Sequence, residues 1–141
     1  MPRLNALSSY RSTSRRYYIE NLGCAKNQVD AETMIAALSR AGWERSQEPD
    51  DADYIIVNSC GFIEPAKQES IDTALQFASA FPAARIVMSG CLSQRYPAEI
   101  AAEMPELAGV VGNRAPGRIA EFLEELESHS GRVFVPDSPG P

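Results

Sequence analysis

The sequence is poor in several residue types that usually announce a function. Its 141 residues hold three cysteines, one histidine and one tryptophan. Three cysteines cannot all pair within one chain, and in a reducing compartment widely spaced cysteines are more often buried, catalytic or metal-binding than bridged, so a disulfide framework is not indicated. The single histidine, His129, follows the last helical stripe and reads as a solvated surface residue. Lys and Arg number 13 against 19 Asp and Glu, a net charge of −6. That balance argues against a broad phosphate-binding field, and strong nucleic-acid binding by this chain alone is not expected. Arg3, Arg11, Arg15 and Arg16 are not followed by a long apolar run, so neither a signal peptide nor a membrane span is supported and a cytoplasmic location is expected. No internal repeat or low-complexity block is present.

What the chain does have is the material for one packed domain, with a hydrophobic fraction of 44%. Residues 1–14 mix Ser, Arg, Asn and Thr without periodicity and read as a mobile arm. Residues 15–130 carry the domain, and residues 131–141, ending Pro-Asp-Ser-Pro-Gly-Pro, read as a linker toward a further domain. Within the domain, Arg16–Leu22 is rich in aromatic and β-branched residues and predicts a first strand. A helix follows, with Asn27 as its cap, Asp30 and Glu32 near its positive end, Met34, Ala37, Leu38 and Ala41 on one face, and Gly42 as its stop. Trp43–Gln47 predicts a short second strand, and Asp53–Asn58 a third of the continuous apolar kind that parallel sheets bury on both faces. Pro65 suits the start of the next helix, whose apolar face is Ile71, Ala74, Leu75 and Ala78. Arg85–Ser89 predicts a fourth strand, Pro97–Met104 a helix, Gly109–Val111 a fifth strand, and Ile119, Phe122, Leu123 and Leu126 the stripe of a last helix. Alternating strands and helices imply an α/β domain, a flavodoxin-like three-layer sandwich of about five mostly parallel strands in the order 2-1-3-4-5.

The three cysteines share a position. Cys24, Cys60 and Cys91 each stand just beyond a predicted strand, next to a glycine at 23, 61 or 90. In a parallel sheet all carboxyl ends lie on one edge, where open α/β folds build their ligand sites. In the order 2-1-3-4-5 the three cysteine-bearing strands are neighbours about 4.8 Å apart, close enough for short loops to gather three sulfurs around one small inorganic group. Soft thiolates without histidine favour iron-sulfur or zinc over hard cations. A four-iron cluster normally takes four cysteines, so three would leave one iron open to another ligand. The bland alternative is packing, since free cysteine is a common buried residue and strand ends beside glycine attract small side chains.

The flanking residues carry more. Asn21-Leu-Gly-Cys-Ala-Lys-Asn-Gln-Val-Asp-Ala-Glu32, Ile56-Val-Asn-Ser-Cys-Gly-Phe-Ile-Glu-Pro-Ala-Lys-Gln-Glu-Ser-Ile71 and Ser89-Gly-Cys-Leu-Ser-Gln-Arg-Tyr96 closely resemble the amino-terminal domain of radical-SAM methylthiotransferases, from about Tyr17 to Glu125. The resemblance implies that Cys24, Cys60 and Cys91 hold an auxiliary 4Fe-4S cluster. It also implies that the parent enzyme carries a second 4Fe-4S cluster, which works with S-adenosylmethionine in a radical-SAM domain of the same parent chain. The Gly61–Ile71 segment and Lys26-Asn27 look like the branch that methylthiolates an aspartate of ribosomal protein S12; a branch acting on a tRNA adenosine is the alternative. The Cys-x-x-x-Cys-x-x-Cys run of the SAM-cleaving cluster and the carboxyl-terminal module of those enzymes are missing from the sequence, so an excised domain, inactive alone, is expected. Asn58 and Lys26 could bond or balance a cluster, or serve as a turn cap and a solvated lysine. Glu64, Lys67, Glu69, Gln94, Arg95 and Tyr96 read as solvated positions beside the site. A zinc-stabilised interaction module and a flavin-binding electron-transfer module are the rivals from other classes.

Overall fold

A computed structural model describes residues 15–22, 25–59, 64–112, 115–128 and 133–134, with the side chains of residues 25, 26, 64, 66, 91, 128 and 134 excepted. The elements in chain order are β1 (Arg16–Asn21), α1 (Ala25–Arg40), β2 (Glu44–Arg45), β3 (Tyr54–Ser59), α2 (Glu64–Ala80), β4 (Arg85–Gly90), α3 (Cys91–Arg95), α4 (Pro97–Glu103), β5 (Gly109–Val111), α5 (Ile119–Ser128) and β6 (Val133–Phe134). Short 3-10 turns at Pro49–Asp51 and Pro116–Arg118 lead into β3 and α5.

The strands form one sheet in the order β2-β1-β3-β4-β5-β6, and every pairing is parallel. The expected order 2-1-3-4-5 is therefore present, extended by β6 on the outer edge of β5. Those two residues fall in the stretch read as a linker, where Val133, Phe134 and Val135 supply β-branched and aromatic side chains among the prolines.

The central strand shows why a parallel sheet forms. All six residues of β3, Tyr54 to Ser59, are buried, so both faces need cover. On one face Tyr17, Ile19, Tyr54, Ile56 and Val87 pack against Met34, Ala37 and Leu38 of α1 and against Ile119, Phe122, Leu123 and Leu126 of α5. On the other, Ile55, Val57, Ile86, Met88 and Val110 meet Ala74 of α2, Leu92 of α3, Ile100 of α4, and Met104 and Leu107. Each large side chain buried this way contributes about 1.5–3 kcal/mol.

Three local expectations are corrected. The second strand is two residues long because the chain turns at Ser46, whose Oγ donates to the Glu48 carbonyl at 2.6 Å. The single helix expected at Pro97–Met104 is preceded by a separate turn of helix, α3, which begins at Cys91 itself; Pro97 lacks an N–H and restarts the helix after Tyr96. Ala41, assigned to the apolar face of α1, is exposed beyond its last turn.

Candidate functional site

Strands β1, β3 and β4 are adjacent, and their register sets Asn21, Asn58 and Ser89 side by side in one rung. Along the same face the preceding positions are apolar: Ile19, Ile56 and Val87. The face thus changes from hydrocarbon to amide and hydroxyl just before the chain reaches Cys24, Cys60 and Cys91. The rung is tied across the sheet. Asn58 Nδ2 donates to Asn21 Oδ1 at 2.9 Å, and Ser89 Oγ donates to Asn58 Oδ1 at 3.1 Å. Ser59 Oγ donates to the Ser89 carbonyl, binding β3 to β4 a second time.

Asn27 does not act as the helix cap that the sequence led us to expect. Helix α1 begins at Ala25, which puts Asn27 in its first turn, and Asn27 is 1% exposed. Its Nδ2 donates to the Leu22 carbonyl and to the Ser59 carbonyl, both at 2.7 Å. One side-chain amide therefore spans the ends of β1 and β3. Asn58 returns the contact, donating from Nδ2 to the Asn27 carbonyl at 2.8 Å, and the Leu22 N–H donates to the Asn58 carbonyl at 3.0 Å. Asn58 was expected either to support the Cys60 loop or to cap a turn; it joins β1, α1 and β4 in a single buried junction.

The end of β4 is held differently. Gly90 has φ +97°, a left-handed conformation that favours glycine. A Cβ there would lie 2.7 Å from the Ser59 amide nitrogen and 2.9 Å from Asn58 Oδ1, and closer still to the Ser59 carbonyl oxygen. The missing side chain is thus what allows β4 to close on β3 before α3 starts at Cys91.

Of the residues expected to carry chemistry, Cys24, Cys60, their neighbours Gly23 and Gly61, and His129 lie outside the described residues, as does the Cys91 side chain. The structure does place the segments that lead to them, on three neighbouring strand ends. Among the described residues no group of three or more His, Cys, Asp or Glu is placed to hold a metal ion. Lys67 and Arg95 sit over the Tyr96 ring, 4.7 Å and 5.9 Å from its centroid, rather than standing free in solvent. Asp30, read as a helix-end charge, is buried. Asn21, Ser59 and Ser89 were not singled out from the sequence. The available signal was a polar residue two positions after an apolar one, at the end of each of three strands and shortly before a cysteine.

Among the described residues no helix is long and apolar enough to cross a membrane. The sequence pattern of the uncharacterized protein family UPF0004 matches residues 16–112, from β1 through β5. A ribosomal protein uS12 methylthiotransferase RimO of Treponema denticola is 50% identical over 104 residues, covering 74% of this chain and 22% of that protein. Proteins of the same name from Pelotomaculum thermopropionicum and Saccharopolyspora erythraea are 44% and 39% identical, over 85% and 93% of this chain and 28% and 26% of their own lengths. The chain thus spans about a quarter of the curated relatives it matches.

Proposed function

Since the chain belongs to the uncharacterized protein family UPF0004, as the amino-terminal domain of a methylthiotransferase, we propose that it is the auxiliary 4Fe-4S domain of an enzyme that methylthiolates an aspartate of ribosomal protein S12. Cys24, Cys60 and Cys91 are the iron ligands in this reading. The observation that carries it is the rung Asn21, Asn58 and Ser89: the three segments leading to the cysteines end side by side on one sheet edge. The donor set fits the group, because three soft thiolates suit iron-sulfur and would leave one iron of a four-iron cluster without a cysteine ligand. When bound, such a cluster supplies an open metal position at which sulfur can be held.

The chain's own contribution is placement. The buried amides of Asn27 and Asn58 and the hydroxyls of Ser59 and Ser89 fix the strand ends without adding a formal charge, so the charge of the site is set by thiolates and metal. In this reading the parent enzyme would hold a second 4Fe-4S cluster, which would supply the S-adenosylmethionine chemistry, in a radical-SAM domain of the same chain, and would act in the cytoplasm on ribosomal protein S12. This domain alone is inactive in that reading. The names of the relatives support the substrate assignment.

The test is anaerobic reconstitution with iron and sulfide of the full chain and of a Cys24→Ala, Cys60→Ala, Cys91→Ala variant, read by iron content and absorption. A brown four-iron product that the variant fails to form is expected. A colourless protein, or one that takes up zinc alone while a control protein reconstitutes, would overturn the reading.

A further inference from the structure

We propose that Asn27 is a positioning residue that fixes Leu22 and Ser59, the described residues leading to Cys24 and Cys60, relative to one another before any metal is bound. The inference rests on the reading of these cysteines as ligands of one group, but its physical basis lies in the described residues. Asn27 Nδ2 donates to two carbonyls at 2.7 Å, and each belongs to a residue leading into a ligand: Ser59 immediately precedes Cys60, and Leu22 stands two residues before Cys24. Asn27 itself lies three residues after Cys24 in the first turn of α1. The described residues on either side of Cys24, Leu22 and Asn27, are therefore tied to each other and to the carbonyl that introduces Cys60.

The junction is buried and specified in direction. Asn27 is 1% exposed and both bonds come from its nitrogen, so an oxygen in that place would face two carbonyl oxygens. Asn58 makes the geometry reciprocal by donating to the Asn27 carbonyl at 2.8 Å. Breaking the clasp leaves carbonyl oxygens short of a donor in a buried place, and water is the natural replacement. Strand ends no longer tied in this way must be brought back together when metal binds, so the folded protein should bind metal more weakly.

Cobalt(II) is the probe, because thiolate coordination gives it an intense absorption that needs neither sulfide nor a finished cluster. Metal-free wild type, Asn27→Asp, Asn27→Ala and the milder Ser89→Ala are titrated anaerobically at temperatures where circular dichroism shows each to be folded. Asn27→Asp keeps the shape and removes the donors. The expected result is a cobalt affinity about ten-fold lower for both Asn27 variants, the equilibrium equivalent of one buried hydrogen bond, with Ser89→Ala between them and wild type. A purely structural Asn27 would lower the melting temperature and leave the affinity of the folded molecules unchanged, which overturns the proposal. Wild type that binds cobalt through thiolates and loses affinity in the variants, yet forms no four-iron cluster, removes the iron-sulfur assignment and keeps the clasp. Wild type that binds neither removes both.

Discussion

The two ends of β3 solve the same problem by opposite means. Both are buried, and both must satisfy polar groups at the margin of an apolar sheet. At the amino end Tyr54 OH donates to Glu127 Oε2 at 2.7 Å and accepts from Arg85 Nη1 at 3.3 Å, while Arg15 reaches Glu127 at 2.8 Å and lies over the Trp43 ring. Charged groups there close on one another around a tyrosine. At the carboxyl end the partners are amides, hydroxyls and backbone carbonyls, with no ion pair among them. The difference separates a clasp of charged side chains at one end from a network of amides, hydroxyls and carbonyls, among the described residues, at the other.

The largest effect is expected at Gly90. Gly90→Ala meets the Ser59 backbone and Asn58 Oδ1 and places a side chain at φ +97°, so β4 must move away from β3. A loss of about 3 kcal/mol or more is expected in urea unfolding; an alanine variant as stable as wild type would show that this end of the sheet tolerates spreading. Asn58→Leu comes next. It removes the side-chain donor to the Asn27 carbonyl and the acceptor of the Ser89 hydroxyl, and a loss of about 2 kcal/mol is expected by the same measurement.

At the other end, Tyr54→Phe removes two bonds to charged groups that retain other contacts, and about 1 kcal/mol is expected near neutral pH. Its pH dependence is the sharper test. Burial first, then the bond to Glu127 and its charge, push the Tyr54 hydroxyl above the ordinary value of 10.0. Above that pH the unfolded chain gives up the phenolic proton while the folded chain keeps it, so the stability present below pH 10 is lost as pH rises. Urea midpoints of wild type should fall between roughly pH 9 and 11, and Tyr54→Phe should flatten part of that slope. A residual slope is expected from Tyr17, also raised by burial. The smallest effect belongs to Ser93, buried in α3 with no partner for its Oγ. Ser93→Ala should leave the melting temperature unchanged or raise it slightly, by no more than about 1 kcal/mol in stability; a marked loss would mean that the hydroxyl has a partner in solution.

The fold was legible because its signals are collective. Continuous apolar runs at Tyr54–Asn58 and Arg85–Ser89, separated by amphipathic helices, leave few arrangements besides a parallel sheet covered on both faces. The cysteine-bearing strand ends were legible for the same reason, since topology alone brings them to one edge. Asn27 was misread because capping is a local rule, and the competing demand came from Ser59, 32 residues away. No one-dimensional pattern reports that a side-chain amide three residues from a cysteine faces two carbonyls on neighbouring strands. The separate helix α3 was missed because Ser89-Gly-Cys-Leu-Ser lacks helical periodicity, and its five residues are held by Leu92 packing under the sheet rather than by propensity.

The edge strand β6 gives the sheet a polarity that reaches past its own residues. Because it runs parallel to β5, Phe134 ends on the same side as the three cysteine-bearing strands, two strand spacings, or about 10 Å, from β4. The direction of this one two-residue strand therefore brings Phe134 to the edge where β1, β3 and β4 also end, and the opposite direction would carry it to the far edge of the sheet.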